Sequence, residues 1–132
     1  KVADVERLLI PQLDEIDVYR VGHHGSTTSS SNQFIKTILP SVAIVSNGRK
    51  HSHPSSAVME NLSNLDSKPD IYATNYNPDG WRADNGQGFF ADQNYDDYDG
   101  IIEISVWKRS YRVYMWNDGK RDGSGKRYLI KK

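Results

Sequence analysis

The strongest constraint on the fold is an alternation of strand-like and helix-like segments over the first 75 residues. Ile16 to Val21 (IDVYRV), Ser41 to Ser46 (SVAIVS) and Ile71 to Thr74 are predicted strands. Between them, apolar residues recur at helical spacing in Gln33 to Leu39 and again near residues 56 to 65. Strand, helix, strand, helix, strand order favours parallel pairing with right-handed crossovers, so the sequence predicts an α/β fold with a βαβαβ core.

The remaining segments complete a single predicted domain over residues 1–132. A first helix is predicted over Val2 to Ile10, and the spacing of Ser30 and Gln33 is typical of a capping box at the start of the second. Residues 75–98 are rich in Asn, Asp and Gly and are expected to form a long loop. Ile101 to Trp107 and Tyr111 to Trp116 alternate in polarity, which predicts a C-terminal antiparallel hairpin in a mixed sheet, with a short final strand near Tyr128 to Ile130.

Composition excludes several classes of protein. The chain has no cysteine, so thiolate metal sites and cysteine nucleophiles are excluded, and no apolar run approaches membrane-spanning length. We therefore expect no membrane contact by this segment. The formal net charge is zero, but residues 60–104 carry ten acidic residues against two basic ones, and residues 105–132 carry nine basic residues against two acidic ones. This asymmetry fits either a basic tail that meets an anionic partner or two complementary surfaces within one fold.

Three of the four histidines lie in two loops that follow predicted parallel strands. His23-His24-Gly25-Ser26 follows the first strand, and Ser52-His53-Pro54-Ser55 follows the second. Parallel strands end at the same edge of a sheet, which is where open α/β sheets bind ligands. Imidazole is a common zinc ligand, so the pairing predicts a hydrolytic metal centre, although polar loops also carry histidine for ordinary reasons.

The segment from Ile16 through His23-His24-Gly25-Ser26 to Ser31 resembles the HHGS motif of metallo-β-lactamase-fold hydrolases. The most similar subgroup contains the nuclease-like domain of bacterial DNA-uptake competence proteins. The strand SVAIVS, Asn47-Gly48 and His53-Pro54 follow in that subgroup's order, and the resemblance covers about residues 14 to 80.

This resemblance implies a metal-dependent hydrolase that acts on phosphodiester substrates with Zn²⁺ or Mn²⁺. It makes His23, His24 and His53 candidate metal ligands, and His24 and Ser26 candidate catalytic residues. Since adjacent residues of an extended chain point to opposite sides, His23 and His24 are not expected to be equivalent, and the sequence does not choose between them. Ser26 fits either a capping role or a hydrogen bond to a phosphate oxygen.

The chain departs from the family's pattern in two ways. Ser52 stands where the subgroup usually has glycine, and Ser56 where it often has proline. The family's principal metal motif, His-x-His-x-Asp-His, does not occur. The resemblance therefore implies the C-terminal half of a metallo-β-lactamase αββα sandwich, whose partner is the missing N-terminal half. We expect the isolated chain to bind little or no metal and to be inactive.

A different class of function is also open. Aromatic and basic residues interleave on the hairpin and the tail after it, which suits a non-enzymatic nucleic-acid-binding module; they are Trp107, Arg109, Tyr111, Arg112, Tyr114, Trp116, Lys120, Arg121, Lys126 and Arg127. A third alternative is a purely structural half-domain. A chelator would abolish hydrolysis but leave binding by stacking intact.

The expected half-sandwich also bears on assembly. An uncovered apolar sheet face, formed by SVAIVS with Ile102, Ile104 and Val106, would favour a homodimer, unless the loop at 75–98 folds over it. The sequence leaves the compartment open between the bacterial cytoplasm and the extracytoplasmic side.

Overall fold

A computed structural model describes residues 4–48, 53–75, 88–90 and 100–131. It contains three short α-helices, namely α1 (Val5–Leu9), α2 (Asn32–Ile38) and α3 (Ser56–Ser63). Eight strands accompany them: β1 (Val18–Arg20), β2 (Val42–Val45), β3 (Asp70–Ala73), β4 (Gly88–Phe90), β5 (Ile102–Val106), β6 (Ser110–Asn117), β7 (Lys120–Arg121) and β8 (Lys126–Leu129). Among the helices of the described residues, none is long and apolar enough to cross a membrane.

The first sheet is parallel and has the strand order β1-β2-β3-β4. Ala43 lies between Tyr19 of β1 and Ile71 of β3, which fixes the register of the first three strands. The predicted parallel α/β core is thereby confirmed. The expected loop at 75–98 needs a correction, because residues 88–90 within it form β4 beside β3. A three-residue strand inside a polar segment is too short to show periodicity; residues 76–87 and 91–99 lie outside the described part of the chain.

Helices α2 and α3 cover one face of this sheet because their apolar stripes match its inward residues. Ile35 of α2 and Met59 and Leu62 of α3 are fully buried with Ala43 and Val45 of β2. Each such burial contributes about 1.5–3 kcal/mol for a large aliphatic side chain.

Serine side chains begin both of these helices. The Oγ of Ser31 accepts from the N–H of Phe34, and the Oγ of Ser55 accepts from the N–H of Val58. The cap of α2 is therefore one residue later than the predicted Ser30. Leu39 ends α2 in a left-handed conformation, and Pro40 prevents its continuation.

A second, antiparallel sheet covers the other face of the parallel sheet. Strand β6 lies between β5 and β8, and it also pairs with β7. Its residues Tyr111 and Val113 are buried against Val42 and Tyr72 of the parallel sheet. The predicted hairpin is thus confirmed, but the predicted mixed sheet needs a correction, because the hairpin strands form a sheet of their own and pair with no parallel strand of the described residues. The described chain forms three layers: helices, parallel sheet and antiparallel sheet.

A hydrogen-bonded tyrosine cluster fastens the two sheets together. The hydroxyl of Tyr128 donates to Asp70 (2.5 Å), and the hydroxyl of Tyr72 lies 2.7 Å from that of Tyr128. Burial, reinforced by the hydrogen bond to Asp70, raises the pKa of Tyr128 well above its ordinary value. Burial also raises the pKa of Tyr111, whose hydroxyl donates to the carbonyl of Asp17, to about 12. These hydrogen bonds hold the two sheets in register.

The homodimer was expected because one face of the sheet was thought to be uncovered, and the antiparallel sheet covers that face. Ile102 and Ile104, predicted to lie on an uncovered face, pack in the core between the sheets, and Val42 of the SVAIVS strand is buried there. Only Val106 of that predicted set is strongly exposed. Because this chain covers its own sheet face, that face supplies no argument for a dimer.

The first helix is shorter than predicted. It spans Val5–Leu9, continues as a 3₁₀ turn at Ile10–Gln12, and is capped by the side chain of Asp4. Its residues Val5, Leu8 and Leu9 are 54%, 68% and 41% exposed. The helix therefore presents an apolar surface that no described residue covers.

Candidate functional site

The candidate site lies at the carboxyl edge of the parallel sheet, where β1 and β2 end. A tight turn at Gly22–Gly25 follows β1, and the loop that contains His53 and Pro54 leads from β2 into α3. The structure brings these two loops together: the ring centres of His23 and His53 are 6.1 Å apart, and those of His23 and His24 are 6.3 Å apart. His51 lies outside the described residues, as does Ser52.

The backbone at the two adjacent histidines is not extended. His23 (φ 43°, ψ 44°) and His24 (φ 56°, ψ 22°) both adopt left-handed conformations, and the N–H of Ser26 closes the turn on the carbonyl of His23 (2.9 Å). The expectation that the two histidines are not equivalent rested on an extended chain, and this premise does not hold at His23 and His24. A turn with consecutive positive φ values presents both imidazoles at the exposed edge.

Backbone geometry fixes the proton on His24. Its Nδ1 lies 2.5 Å from the carbonyl oxygen of Ser46, at the end of β2. A carbonyl oxygen only accepts hydrogen bonds, so Nδ1–H must be the donor. In neutral His24 the lone pair is then on Nε2, which is the arrangement that a metal-binding histidine adopts when its other nitrogen donates to a carbonyl group.

His23 is oriented by a side-chain relay. Its Nδ1 lies 2.6 Å from the hydroxyl of Thr28, and that hydroxyl donates to the Oγ of Ser26 (3.2 Å). Thr28 therefore accepts from Nδ1–H of His23, which again leaves the lone pair on Nε2. Ser26 is only 7% exposed and also accepts from the N–H of Thr28. Its described hydrogen bonds brace the turn.

Close packing of Gly25 against Pro54 joins the two loops. Gly25 has φ +80°, and a Cβ added there would lie 2.5 Å from the Cβ and 3.0 Å from the Cα of Pro54. The carbonyl of Gly25 also accepts from the N–H of Ser55 (2.9 Å). Only glycine permits both this backbone conformation and this approach, so the glycine sets the distance between His23 and His53.

The serine-rich loop, residues 26–31, is anchored by a residue of α1 that is distant in sequence, a contact that the sequence did not indicate. The carboxylate of Glu6 accepts from the N–H groups of Ser30 (2.6 Å) and Ser31 (2.8 Å), and the hydroxyls of Ser30 and Tyr19 are 2.8 Å apart. A cleft of about 370 Å³ lies between α1 and this loop, and Thr28 is among its lining residues. Helix α1 thus supports the loop that orients His23.

Asparagines secure the adjoining strand ends. Asn47, 5% exposed, donates through its side chain to the carbonyl of Asn75 (2.8 Å), and its backbone N–H donates to Thr74 Oγ1 (2.9 Å). The side chain of Asn75 donates back to the carbonyl of Asn47 (2.6 Å). This network holds the ends of β2 and β3 together beside the histidine loops; the resemblance pointed to Asn47, but its partners are 27 and 28 residues away.

The residues at this edge fit part of a metal site. Two imidazoles on one tetrahedral zinc have ring centres about 5 Å apart, given Zn–N bonds of about 2.1 Å. To bind one zinc together, the rings of His23 and His53, now 6.1 Å apart, would move about 1 Å closer to each other. Within the described ranges, however, no group of three His, Cys, Asp or Glu side chains is placed to hold a metal ion. A catalytic zinc needs three protein ligands and an open position. The described edge can contribute ligands, but it does not make a complete site.

The fold and this edge define the class: an α/β domain with converging histidine loops at the carboxyl ends of parallel strands. Recombination protein 2 of Haemophilus influenzae is 44% identical to this chain over 59 residues, which is 43% of the chain and 8% of that relative. ComE operon protein 3 of Bacillus subtilis is 42% identical over 48 residues, which is 35% of the chain and 6% of that relative. The chain therefore matches small parts of relatives named for recombination and for the ComE operon. No protein-family model and no solved structure matches it.

Proposed function

We propose that this chain is the C-terminal part of a metal-dependent hydrolase of the metallo-β-lactamase superfamily that acts on phosphodiester bonds of DNA in a process related to DNA uptake. The observation that carries the proposal is the convergence of His23 and His53, with His24 beside them, at the carboxyl edge of the parallel sheet. The names of the two relatives support a role connected with DNA.

His23, His24 and His53 would act as some of the ligands of a metal centre whose other ligands lie outside this chain. A Zn²⁺ or Mn²⁺ pair supplies, when bound, a water of lowered pKa and positive charge at the phosphoryl oxygens. The carbonyl of Ser46 holds the Nε2 lone pair of His24 in a fixed direction, and Thr28 does the same for His23. Such outer partners orient a ligand and raise its basicity.

In this proposal, the remaining ligands come from the N-terminal half of the same domain. The apolar surface of α1 is the docking surface we propose for that half, because Val5, Leu8 and Leu9 are exposed there. Glu6, on the same helix, is bonded to the loop that carries the histidine relay. Docking against α1 would therefore stabilise the loop and complete the ligand set together.

The test compares single substitutions in a complex of this chain with the proposed N-terminal half of the domain, which would carry the His-x-His-x-Asp-His motif. We expect His24→Ala and His53→Ala to lower Mn²⁺-dependent hydrolysis of a single-stranded oligonucleotide by at least about 100-fold. Thr28→Val, which removes the hydroxyl that links His23 to Ser26 but none of the proposed metal ligands, should lower it by about 10-fold. Gln33→Ala, on exposed α2 surface, is the control and should leave the rate unchanged.

A second readout does not depend on activity. Zinc added to that complex should shift the imidazole nitrogen resonances of His24 and His53 in NMR spectra, with Nδ1 of His24 still protonated. Full hydrolysis in both histidine variants would refute the proposal. Unshifted imidazole resonances at saturating zinc would refute the assignment of the ligands.

A further inference from the structure

The outward face of the antiparallel sheet has its own chemistry. Tyr111 and Val113 of β6 point into the core, so the alternate residues Ser110 and Arg112 point outward. Strand register places Leu129 and Arg127 of β8 beside them. Trp107 lies on the other side of Ser110, and its backbone N–H donates to the carbonyl of Ser110 (2.8 Å). We call this surface, made of Trp107, Ser110, Arg112, Arg127 and Leu129, the outer face.

The outer face exposes a large aromatic ring next to small and aliphatic groups. Trp107 is 50% exposed and Leu129 is 68% exposed, while Ser110 between them is only 8% exposed. Arg112 and Arg127 form the next row along the strands, about 7 Å away. A ring with one open side and cations one row away is the arrangement that stacks on a base and meets the adjoining phosphate.

Among the described residues, no carboxylate forms an ion pair with the cations of the outer face. Arg121, Lys126 and Lys131 pair with carboxylates, respectively those of Glu103, Asp70 and Glu15. Arg112, by contrast, donates to the carbonyls of Ser124 (3.1 Å) and Gly125 (3.2 Å), which fix its guanidinium, and no carboxylate of the described residues pairs with its charge.

Other cations on and beside the outer face also lack an ion pair among the described residues. Lys108, Arg109 and Arg127 are exposed, and none of them forms an ion pair with any carboxylate of the described residues. The excess positive charge of the C-terminal region therefore collects on and beside the outer face, where an anionic partner would be attracted.

This surface is narrower than the aromatic and basic set that the sequence suggested. Tyr111 is buried between the sheets, and Tyr114 is 8% exposed because the guanidinium of Arg121 lies 4.2 Å from its ring centre. Trp116 donates to Glu103 (2.8 Å). Within that aromatic set, Trp107 is the residue with an exposed ring in the described chain.

We propose that the outer face binds single-stranded nucleic acid, with a base stacked on Trp107 and backbone phosphates held by Arg112 and Arg127. The surface is distinct from the histidine edge. The backbone N–H of Lys131, two residues after β8, donates to the side chain of Asp17, which precedes β1, whereas the histidines follow β1. The two surfaces therefore lie at opposite ends of the parallel strands, and the inference goes beyond hydrolysis: the outer face would hold a strand remote from the site of cleavage.

Charge and area both favour this partner over a second copy of the chain. The large apolar side chains of the outer face are Trp107 and Leu129. The apolar area that two side chains expose is far smaller than the roughly 800 Å² per partner that a stable protein interface buries. Two copies meeting there would also bring Arg112 and Arg127 of each against those of the other. A polyanion gains from the same cations.

The test is fluorescence anisotropy of a labelled oligothymidine with the 132-residue chain and no added metal, so that binding is measured apart from hydrolysis. We expect Trp107→Ala to weaken binding about tenfold, since base stacking on an aromatic ring contributes about that factor or more. Arg127→Gln should weaken binding and reduce the slope of log K against log salt by about 0.7. Lys36→Gln, which removes the same charge from exposed α2 on the other side of the parallel sheet, is the matched control.

Four results would overturn the inference. They are no oligothymidine binding at low salt, equal losses in Arg127→Gln and Lys36→Gln, undiminished binding in Trp107→Ala, and binding to anionic phospholipid vesicles in place of the oligonucleotide. Because no metal or cleavage is involved, such results leave the proposed hydrolase untouched, and loss of hydrolysis in the histidine variants leaves this inference untouched.

Discussion

Replacing Gly25 with alanine should separate the two histidine loops. The new Cβ would lie 2.5 Å from Pro54 Cβ and 3.0 Å from its Cα, and the backbone there has φ +80°. A left-handed conformation costs an alanine roughly 1–2 kcal/mol, and forcing an extra carbon into a packed contact costs about 1–3 kcal/mol. We therefore expect Gly25→Ala to lower the free energy of unfolding by about 2–5 kcal/mol.

Gly123→Ala separates the two contributions. Gly123 has nearly the same backbone conformation (φ +68°), but an added Cβ would have no neighbour within 4 Å. It should therefore lose only the conformational part, roughly 1–2 kcal/mol. Urea unfolding followed by circular dichroism measures both variants, and each kcal/mol corresponds to about 3–5 °C in Tm for a chain of this size.

The contact with Pro54 can also be tested directly. In a Pro54→Gly background the Cβ that Gly25→Ala would strike is gone, so the added cost of that substitution should fall toward that of Gly123→Ala. NMR contacts between the rings of His23 and His53 should weaken in Gly25→Ala alone. Equal destabilisation by Gly25→Ala and Gly123→Ala, with the ring contacts intact, would refute the reasoning.

Other predictions concern metal, pH and assembly. The isolated chain should hold well under one equivalent of zinc by elemental analysis and show no nuclease activity, because the described edge lacks a three-ligand group; tight equimolar zinc lost in His53→Ala would contradict this. The raised pKa values of Tyr111 and Tyr128 mean that the folded state keeps protons that the unfolded state releases above pH 10. Stability should therefore be full below pH 10 and fall as pH rises beyond it, and Tyr128→Phe should flatten that fall in alkaline unfolding curves. Hydrogen bonds from Arg121, and then from Trp116, lower the pKa of Glu103 to about 2, so its stabilisation is present above pH 4.5 and is lost as pH falls toward 2; Glu103→Gln should remove that acid-sensitive part. Light scattering should give a monomeric mass, since the antiparallel sheet covers the face that would have paired; a concentration-dependent dimer would show that another surface associates.

Local pattern was enough to predict the order of the helices and strands other than β4 and β7. The apolar run at Val42–Val45, the helical stripe through Ile35 and Ile38, and the polar alternation of the hairpin each report burial on one face or two, and burial is what strand and helix periodicity record. The same logic placed the His23 and His53 loops at one edge, because parallel strands share a carboxyl end.

Tertiary structure decided what lies between those elements. Consecutive left-handed residues at His23 and His24 arise from the turn closed by Ser26, and no side-chain period encodes them. The carboxylate of Glu6 reaches Ser30 across 24 residues, a contact that depends on how α1 packs. Tyr114 in β6 and Trp107 directly after β5 were both predicted to lie in alternating strands, yet Tyr114 is covered by Arg121 and Trp107 is half exposed. Sequence periodicity indicates the face of a strand on which a side chain lies. How far that side chain is buried depends on segments that are distant in the chain, and only their packing in three dimensions determines this burial.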